Sequence, residues 1–305
     1  MSESSNRSAV VAVTGANGLV GAALCRALVE RGATVRAVVR RGGTAPELVG
    51  VAEHVGEFFD PDLAASVVDG ADAVVTTVHP MGSDRATQHR IGVEGTRTVA
   101  RAARDAGVAR LVHVSTAAVY RRGPEVGDVD ESAALVDDGA GDYAVTKRDA
   151  EAALGDVDRI TRVLLRPPAI LGPGPSSVWN TRRPGTMRES ADARRANPGA
   201  TFSWVHVSDL ATLAADLATG RVAVSTDPEQ GPVAGGCTAL NVAAHPATAR
   251  DYYGTVSRAL GVDPVWEDAP AWTGHILTTR AHAWGWTPTV DLARATAEIE
   301  EALRR

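Results

Sequence analysis

Short apolar runs alternate with longer stretches of helical periodicity over the first two thirds of the chain. Residues 9–14, 34–39, 51–58, 71–78, 110–115 and 161–166 predict strands. Residues 19–31, 61–68, 84–106 and 142–154 predict helices. Strands that are apolar throughout, with no polar alternation, suit a parallel sheet buried on both faces. Strand and helix alternating at this spacing make βαβ units, so the expected fold is α/β, a Rossmann-type doubly wound parallel sheet with a small C-terminal substrate lobe.

The pattern breaks after Arg166. Pro167, Pro168, Gly172, Pro173, Gly174 and Pro175 forbid regular helix there, and a polar, arginine-rich stretch follows to about Pro198. A strand at 201–207, a helix at 209–219, a Gly/Pro-rich loop at 225–236 and amphipathic helices at 250–260 and 292–303 complete the reading. The expected division is a doubly wound domain over 1–166, with returns near 201–220 and 239–243, and an interleaved lobe over 167–305.

Composition narrows the function. A net charge of −6 argues against nucleic-acid binding. Cys25 and Cys237 supply neither a disulfide framework nor metal-ligand spacing, and Cys25 falls within a helical apolar pattern. No run is long enough for a membrane span or is placed as a signal peptide. A soluble, cytoplasmic monomer or homodimer acting on a small molecule is the expectation, with no nucleic-acid or membrane partner.

The turn Thr14-Gly15-Ala16-Asn17-Gly18-Leu19-Val20-Gly21 carries the clearest chemistry. Three glycines three apart separate a buried strand from an amphipathic helix. Gly15 permits the tight turn, Gly18 lets backbone approach a pyrophosphate, and Gly21 allows close helix–strand packing. The helix N-terminus offers unpaired N–H groups to the anion. The second strand ends in Val39-Arg40-Arg41, where an NAD-selective protein usually carries an acid for the ribose 2′-hydroxyl. Arginine there favours the 2′-phosphate of NADP, with NAD as the alternative.

Three further segments resemble those of the extended short-chain dehydrogenase/reductase family, which includes the NAD-dependent epimerase/dehydratase branch. Tyr143-Ala144-Val145-Thr146-Lys147 fits its Tyr-x-x-x-Lys. Val114-Ser115-Thr116-Ala117-Ala118-Val119-Tyr120 is similar to its serine-rich strand end. Leu165-Arg166-Pro167 through Gly172-Pro173-Gly174 resembles its Arg-Pro…Gly-Pro segment. Residues 56–60 look like the adenine-contacting strand end, with Asp60 as the acid, and 204–211 resemble a later family segment. The resemblance implies cofactor contacts from Thr76, Thr77, Val78, Lys147 and Pro167, and a substrate-oxygen contact from Thr116 assisted by Ser115.

Tyr143 and Lys147 lie four apart and share a helix face. A free tyrosine titrates near pH 10, too high for a base at neutral pH. A neighbouring ammonium and an oxidised nicotinamide would both favour the phenolate, making Tyr143 the expected general acid/base. Two departures from the family pattern stand out. Gly92 replaces the usual asparagine of Asn-Val-x-Gly-Thr, and Thr76-Thr77-Val78-His79-Pro80 replaces the usual small apolar run after the fourth strand, with His79 read as a cofactor or substrate contact or as a polar loop residue.

In the lobe, Arg182, Arg183, Arg188, Arg194 and Arg195 suit an anionic substrate, with a solvated helix face as the alternative. Trp179 and Trp204 are read as pocket-lining or core. Trp266, Trp272, Trp284 and Trp286 are expected to seal the terminal lobe. The chain is therefore expected to be an NAD(P)-dependent oxidoreductase acting on a carbonyl or secondary alcohol. A nucleotide-sugar epimerase or dehydratase that retains its cofactor, and a non-catalytic NADP-binding redox sensor, are the competing readings. The span from Gly174 to Phe202 is short for a sugar-nucleotide clamp and favours the reductase.

Overall fold

The computed structural model describes residues 7–304. The central sheet consists of β1 (Val10–Thr14), β2 (Thr34–Val39), β3 (Val51–Val55), β4 (Ala73–Thr76), β5 (Arg110–Val114), β6 (Thr161–Arg166) and β7 (Cys237–Asn241). Their order is β7-β6-β5-β4-β1-β2-β3, and the β1–β2, β1–β4, β2–β3 and β4–β5 pairs are parallel. The reversal of order between β1 and β4 makes the switch point at which doubly wound sheets bind ligands. The expected Rossmann-type sheet is present, because strands such as β4 and β6 are buried at every position and pack between layers of helix.

Cα proximity divides the chain into two compact units. The first holds residues up to Val114 with 149–164 and 211–238; the second holds 115–148, 165–210 and the chain from Ala239 on. In the first unit Ala12, Val38, Val74, Val99, Leu111 and Leu164 belong to one buried cluster. Cys25 is fully buried in α1 (Leu19–Glu30), and that burial pushes its thiol up to about 12, so it is an unreactive core residue.

Two expected elements differ in detail. The helix expected over 84–106 runs as Arg85–Gln88, a wider π turn at His89–Glu94, and Gly95–Asp105, with Asp84 capping its start. The strand expected over 201–207 is split. Thr201–Phe202 pairs antiparallel with Ala247–Thr248, and Trp204–His206 pairs parallel with Ala169–Leu171. Pairing with different partners on the two sides of Ser203 breaks the run, and neither piece joins the central sheet.

The second unit is held by buried polar networks. Arg166 donates to the Tyr120 hydroxyl at 2.8 Å, which donates to Asn241 Oδ1 at 2.7 Å; Asn241 Nδ2 donates to the Leu277 carbonyl at 3.0 Å. Asp209, 3% exposed, accepts from Thr289 Oγ1 at 2.6 Å and from the backbone N–H groups of Thr289 and Val290 at 3.0 Å. In an Asp209→Asn variant one of these donors faces an amide NH2. The expected loss is about 2–3 kcal/mol, since buried hydrogen bonds to a charged group are worth about that much. Urea denaturation with an unchanged midpoint would contradict this role.

Candidate active site

In the first unit, β1 delivers the chain into the glycine turn. Gly15 has φ +69°, a conformation that favours glycine, and its N–H donates to the Val38 carbonyl at 3.1 Å. Its ideal Cβ would lie 2.8 Å from both Thr77 Oγ1 and Val78 Cγ2. Gly21 is buried, and a Cβ there would sit 2.1 Å from the Gly15 carbonyl oxygen. Gly18 differs from both. Its φ is −78°, open to any residue, and a Cβ would meet only the Gly15 oxygen, at 3.3 Å. Packing asks less for glycine at 18 than at 15 or 21, since the one contact is only mildly tight, and the approach of a ligand to the backbone gives a further reason for it. Gly18 is also the N-cap of α1, with no side-chain cap and no acid in the first turn, so Leu19 and Val20 begin a helix end suited to an anion. A dinucleotide pyrophosphate fits this cradle.

Around the turn, Asn17 Nδ2 donates to Thr44 Oγ1 at 3.1 Å, tying it to the loop after β2. That loop is closed by Glu53 of β3, whose two carboxylate oxygens accept from the N–H groups of Gly43, Thr44 and Ala45. The Ala45 and Gly43 bonds hold the Glu53 carboxyl below its usual range. Arg40 and Arg41 are exposed, and among the described residues neither guanidinium has an ion-pair partner.

Other expected cofactor residues have structural partners. Asp60 Oδ1 caps the Pro61–Val68 helix by accepting from Asp62 and Leu63 N–H at 3.0 Å. Thr76 Oγ1 is buried against His113 Nδ1 at 2.7 Å, and Thr77 Oγ1 donates to the Thr14 carbonyl at 2.7 Å. The two departures from the family pattern form one arrangement. His79 Nε2 lies 2.9 Å from Gln88 Oε1, and its Nδ1 would lie 2.9 Å from a Cβ on Gly92. The imidazole occupies the space a side chain at 92 would need.

In the second unit, Ser115 N–H donates to the Leu165 carbonyl at 2.7 Å, and Ala117 N–H to that of Pro167 at 2.8 Å. Thr116, 6% exposed, follows β5, and its Oγ1 accepts from Ala118 N–H at 3.1 Å to cap a single 3₁₀ turn, Ala117–Val119. The Asp142–Gly155 helix carries Tyr143, half-buried, and one turn on Lys147, 3% exposed. Thr116 and Tyr143 are joined by a side-chain hydrogen bond. Burial pushes the Tyr143 phenol above its ordinary value, and the Thr116 bond pulls against that.

Trp179 and Arg188 lie on later elements of the same unit. Trp179 packs edge-on to Phe202 and Tyr252 at 5.2 and 5.3 Å, in an aromatic cluster that also buries Trp204. Arg188 is exposed on the Arg183–Glu189 helix. Arg195 pairs with Glu267 and Asp192, and Arg183 donates to the Tyr253 hydroxyl at 2.8 Å. Part of the arginine-rich stretch is therefore occupied with neighbours. Trp284 and Trp286 are buried, but Trp272 does more than seal the lobe. It lines an open cavity of about 530 Å³ with Arg121, Arg122, Val136, Ala140 and Thr201. Sequence reasoning missed this cavity. Its only local signal is the pair of arginines directly after Tyr120.

Among the described residues, no cluster of His, Cys, Asp and Glu could hold a metal ion, and no helix is long and apolar enough to cross a membrane.

The model of the NAD dependent epimerase/dehydratase family matches residues 11–225. The chain is 37% identical over 171 residues to a 2-alkyl-3-oxoalkanoate reductase of Stenotrophomonas maltophilia (strain K279a), covering 54% of this chain and 52% of that protein. It is 32% identical over 227 residues to a 4-hydroxy-2-methyl-3-oxo-4-farnesyl-3,4-dihydroquinoline-1-oxide ketoreductase of Stigmatella aurantiaca, covering 72% and 64%. The matches thus span between about half and two thirds of these relatives. The fold is similar to that of the Bordetella bronchiseptica enzyme WbmH, solved with NAD+, with a TM-score of 0.79 at 20% identity, over 97% of this chain and 99% of that one.

Proposed function

The chain belongs to the NAD dependent epimerase/dehydratase family, within the extended short-chain dehydrogenases/reductases, and from that membership we propose that it is an NAD(P)-dependent oxidoreductase acting on the carbonyl or secondary alcohol of a small molecule. The observation that carries the reading is the hydrogen-bonded Thr116–Tyr143 pair, with Lys147 buried one turn further along the same helix. The reductase and ketoreductase names of the two relatives favour net redox chemistry over epimerisation.

The cofactor supplies hydride exchange at its nicotinamide ring when bound. The chain supplies the remainder. The Gly18 cradle and the N-terminus of α1 hold the pyrophosphate. Thr116 Oγ1 orients the substrate oxygen. Tyr143 Oη passes a proton to that oxygen in reduction, or takes it in oxidation, and Lys147 favours the phenolate. Stoichiometric oxidation of NADPH by a panel of ketones tests the reading. Product formation without net cofactor consumption would establish the epimerase alternative instead.

We assign NADP as the preferred form. Arg40 and Arg41 are exposed after β2 with no competing acid partner, and Glu53 already uses both oxygens on loop N–H groups. A carboxylate so engaged is poorly placed to select a ribose 2′-hydroxyl. Arginine pairs with a 2′-phosphate through charge-assisted bonds. The Arg40→Ala/Arg41→Ala variant is expected to bind NADPH at least 10-fold more weakly by calorimetry, since each such bond is worth about 1.5–3 kcal/mol. NADH affinity should change about 2-fold or less. Equal losses for both cofactors would remove the 2′-phosphate assignment.

A further inference from the structure

The cavity in the second unit is bordered by the two segments that flank the Thr116–Tyr143 pair. Arg121 and Arg122 follow the 3₁₀ turn that Thr116 caps, and Val136 to Ala140 end just before the helix carrying Tyr143. Trp272 also lines the cavity, and its position is fixed twice. Its Nε1 donates to the Gly127 carbonyl at 3.0 Å, and its own carbonyl accepts from Thr201 N–H at 3.0 Å. The Arg122 guanidinium lies over the indole, 5.1 Å from its centroid.

That guanidinium is in an unusual position. Among the described residues it has no ion-pair or hydrogen-bond partner besides the ring face. Arg122 as a whole is exposed, yet the chain packed about its head disfavours the charged form and lowers its pKa. Five N–H donors are held over a fixed aromatic surface with their hydrogen-bonding capacity unspent. Arg121 adds a second guanidinium on the same rim. Asp137 is the opposing charge in the lining, and its Oδ1 already accepts from Gly139 N–H at 2.9 Å. Two positive groups therefore face one partly satisfied acid. The remaining lining is largely apolar, with Val136, Ala140 and Ala200 beside the indole.

We propose that this cavity is the substrate-recognition site and that it takes a carbonyl compound with a flat or apolar body ending in a carboxylate or phosphate, the anion bound by the Arg122 guanidinium against Trp272. This rests on the oxidoreductase reading for the chemistry but not for the binding. Charge captured away from the reacting carbonyl would orient that carbonyl toward Thr116 and Tyr143, so remote binding energy is used in positioning. A neutral analogue would leave the guanidinium over the indole without a counter-charge, which gives the site its selectivity.

The test uses 4-acetylbenzoate, 4-acetylphenyl phosphate and the neutral 4-acetylbenzamide, each with a ketone at one end of a flat ring. Calorimetric titration onto the NADPH-loaded chain reads binding, and NADPH oxidation reads turnover. At least one anion is expected to bind about 10-fold or more tightly than the amide, and the better of the two distinguishes carboxylate from phosphate recognition. Arg122→Gln is expected to collapse that preference to less than 3-fold, whereas Arg122→Lys retains part of it. Equal binding of all three compounds, no binding of either anion, or an unchanged preference in Arg122→Gln overturns the proposal. Anion-selective binding without turnover would keep the site and overturn the oxidoreductase reading. Turnover of the amide and the anions alike would do the reverse.

Discussion

Replacing Tyr143 with phenylalanine is expected to lower turnover by about 10²–10⁴-fold, the usual contribution of a positioned proton-transfer group. The ring and its packing remain, so cofactor affinity should stay within about 2-fold of wild type, well below the 1.4 kcal/mol that makes a tenfold change. The environment explains why the residue needs help to act. Burial pushes the phenol up and the Thr116 hydrogen bond offsets only part of that, so the isolated chain holds Tyr143 protonated at neutral pH. Lowering its pKa from about 10 to about 7 requires about 4 kcal/mol of preferential phenolate stabilisation. Lys147, buried on the same helix, is the chain's own source of positive charge for this. Lys147→Ala is therefore expected to lose turnover as Tyr143→Phe does and also to weaken cofactor binding, whereas Tyr143→Phe separates the two. In the cofactor-loaded enzyme the pH profile should show an inflection well below 10 that is missing from the phenylalanine variant. Near-normal turnover of Tyr143→Phe would end this assignment and pass the proton to another group, with His79 the first to examine.

The sheet was legible because its central strands β1 and β4 are apolar almost throughout and its first turn carries glycines at a spacing that has a mechanical meaning. The Thr116, Tyr143 and Lys147 group was legible because its members sit at a strand end and one turn apart on a helix, which are local relations. Trp272 was not, since it meets Arg122 across some 150 residues of chain and neither belongs to a spaced motif. For Asp60 and Thr76 the structure adds neighbours that the sequence does not show: Asp60 Oδ1 caps a helix and the Thr76 hydroxyl meets a buried histidine. His79 and Gly92 were two separate anomalies in the sequence and are one packing unit in space, because the imidazole lies where a side chain at 92 would stand.

The three glycines of the turn should fail in different ways when each gains a methyl group. In Gly21→Ala the new Cβ meets Gly15 O at 2.1 Å, Gly15 C at 2.8 Å and Ala16 Cα at 2.9 Å. All three are backbone atoms of the turn, so no side-chain rotation relieves the overlap and the start of α1 must move away from β1. Overpacking of this kind costs about 1–3 kcal/mol and more where backbone must shift, so a loss at or above about 3 kcal/mol is expected. In Gly18→Ala the Cβ meets one atom at 3.3 Å, from a φ that alanine adopts freely. Its stability should therefore stay within about 1 kcal/mol of wild type, since a shift of a few tenths of an ångström relieves the single contact. Its dinucleotide affinity should nonetheless fall by about 10-fold or more, equal to at least 1.4 kcal/mol, because the methyl group takes the space in which the backbone meets the pyrophosphate. Denaturant unfolding and calorimetry on the two variants separate a glycine kept for packing from one kept for a ligand. A Gly21→Ala chain as stable as wild type would show that the turn tolerates a wider helix–strand separation. A Gly18→Ala chain with full affinity for both NADPH and NADH would show that the pyrophosphate does not lie against residue 18, and the cradle would have to be sought elsewhere along the carboxyl ends of β1 and β4.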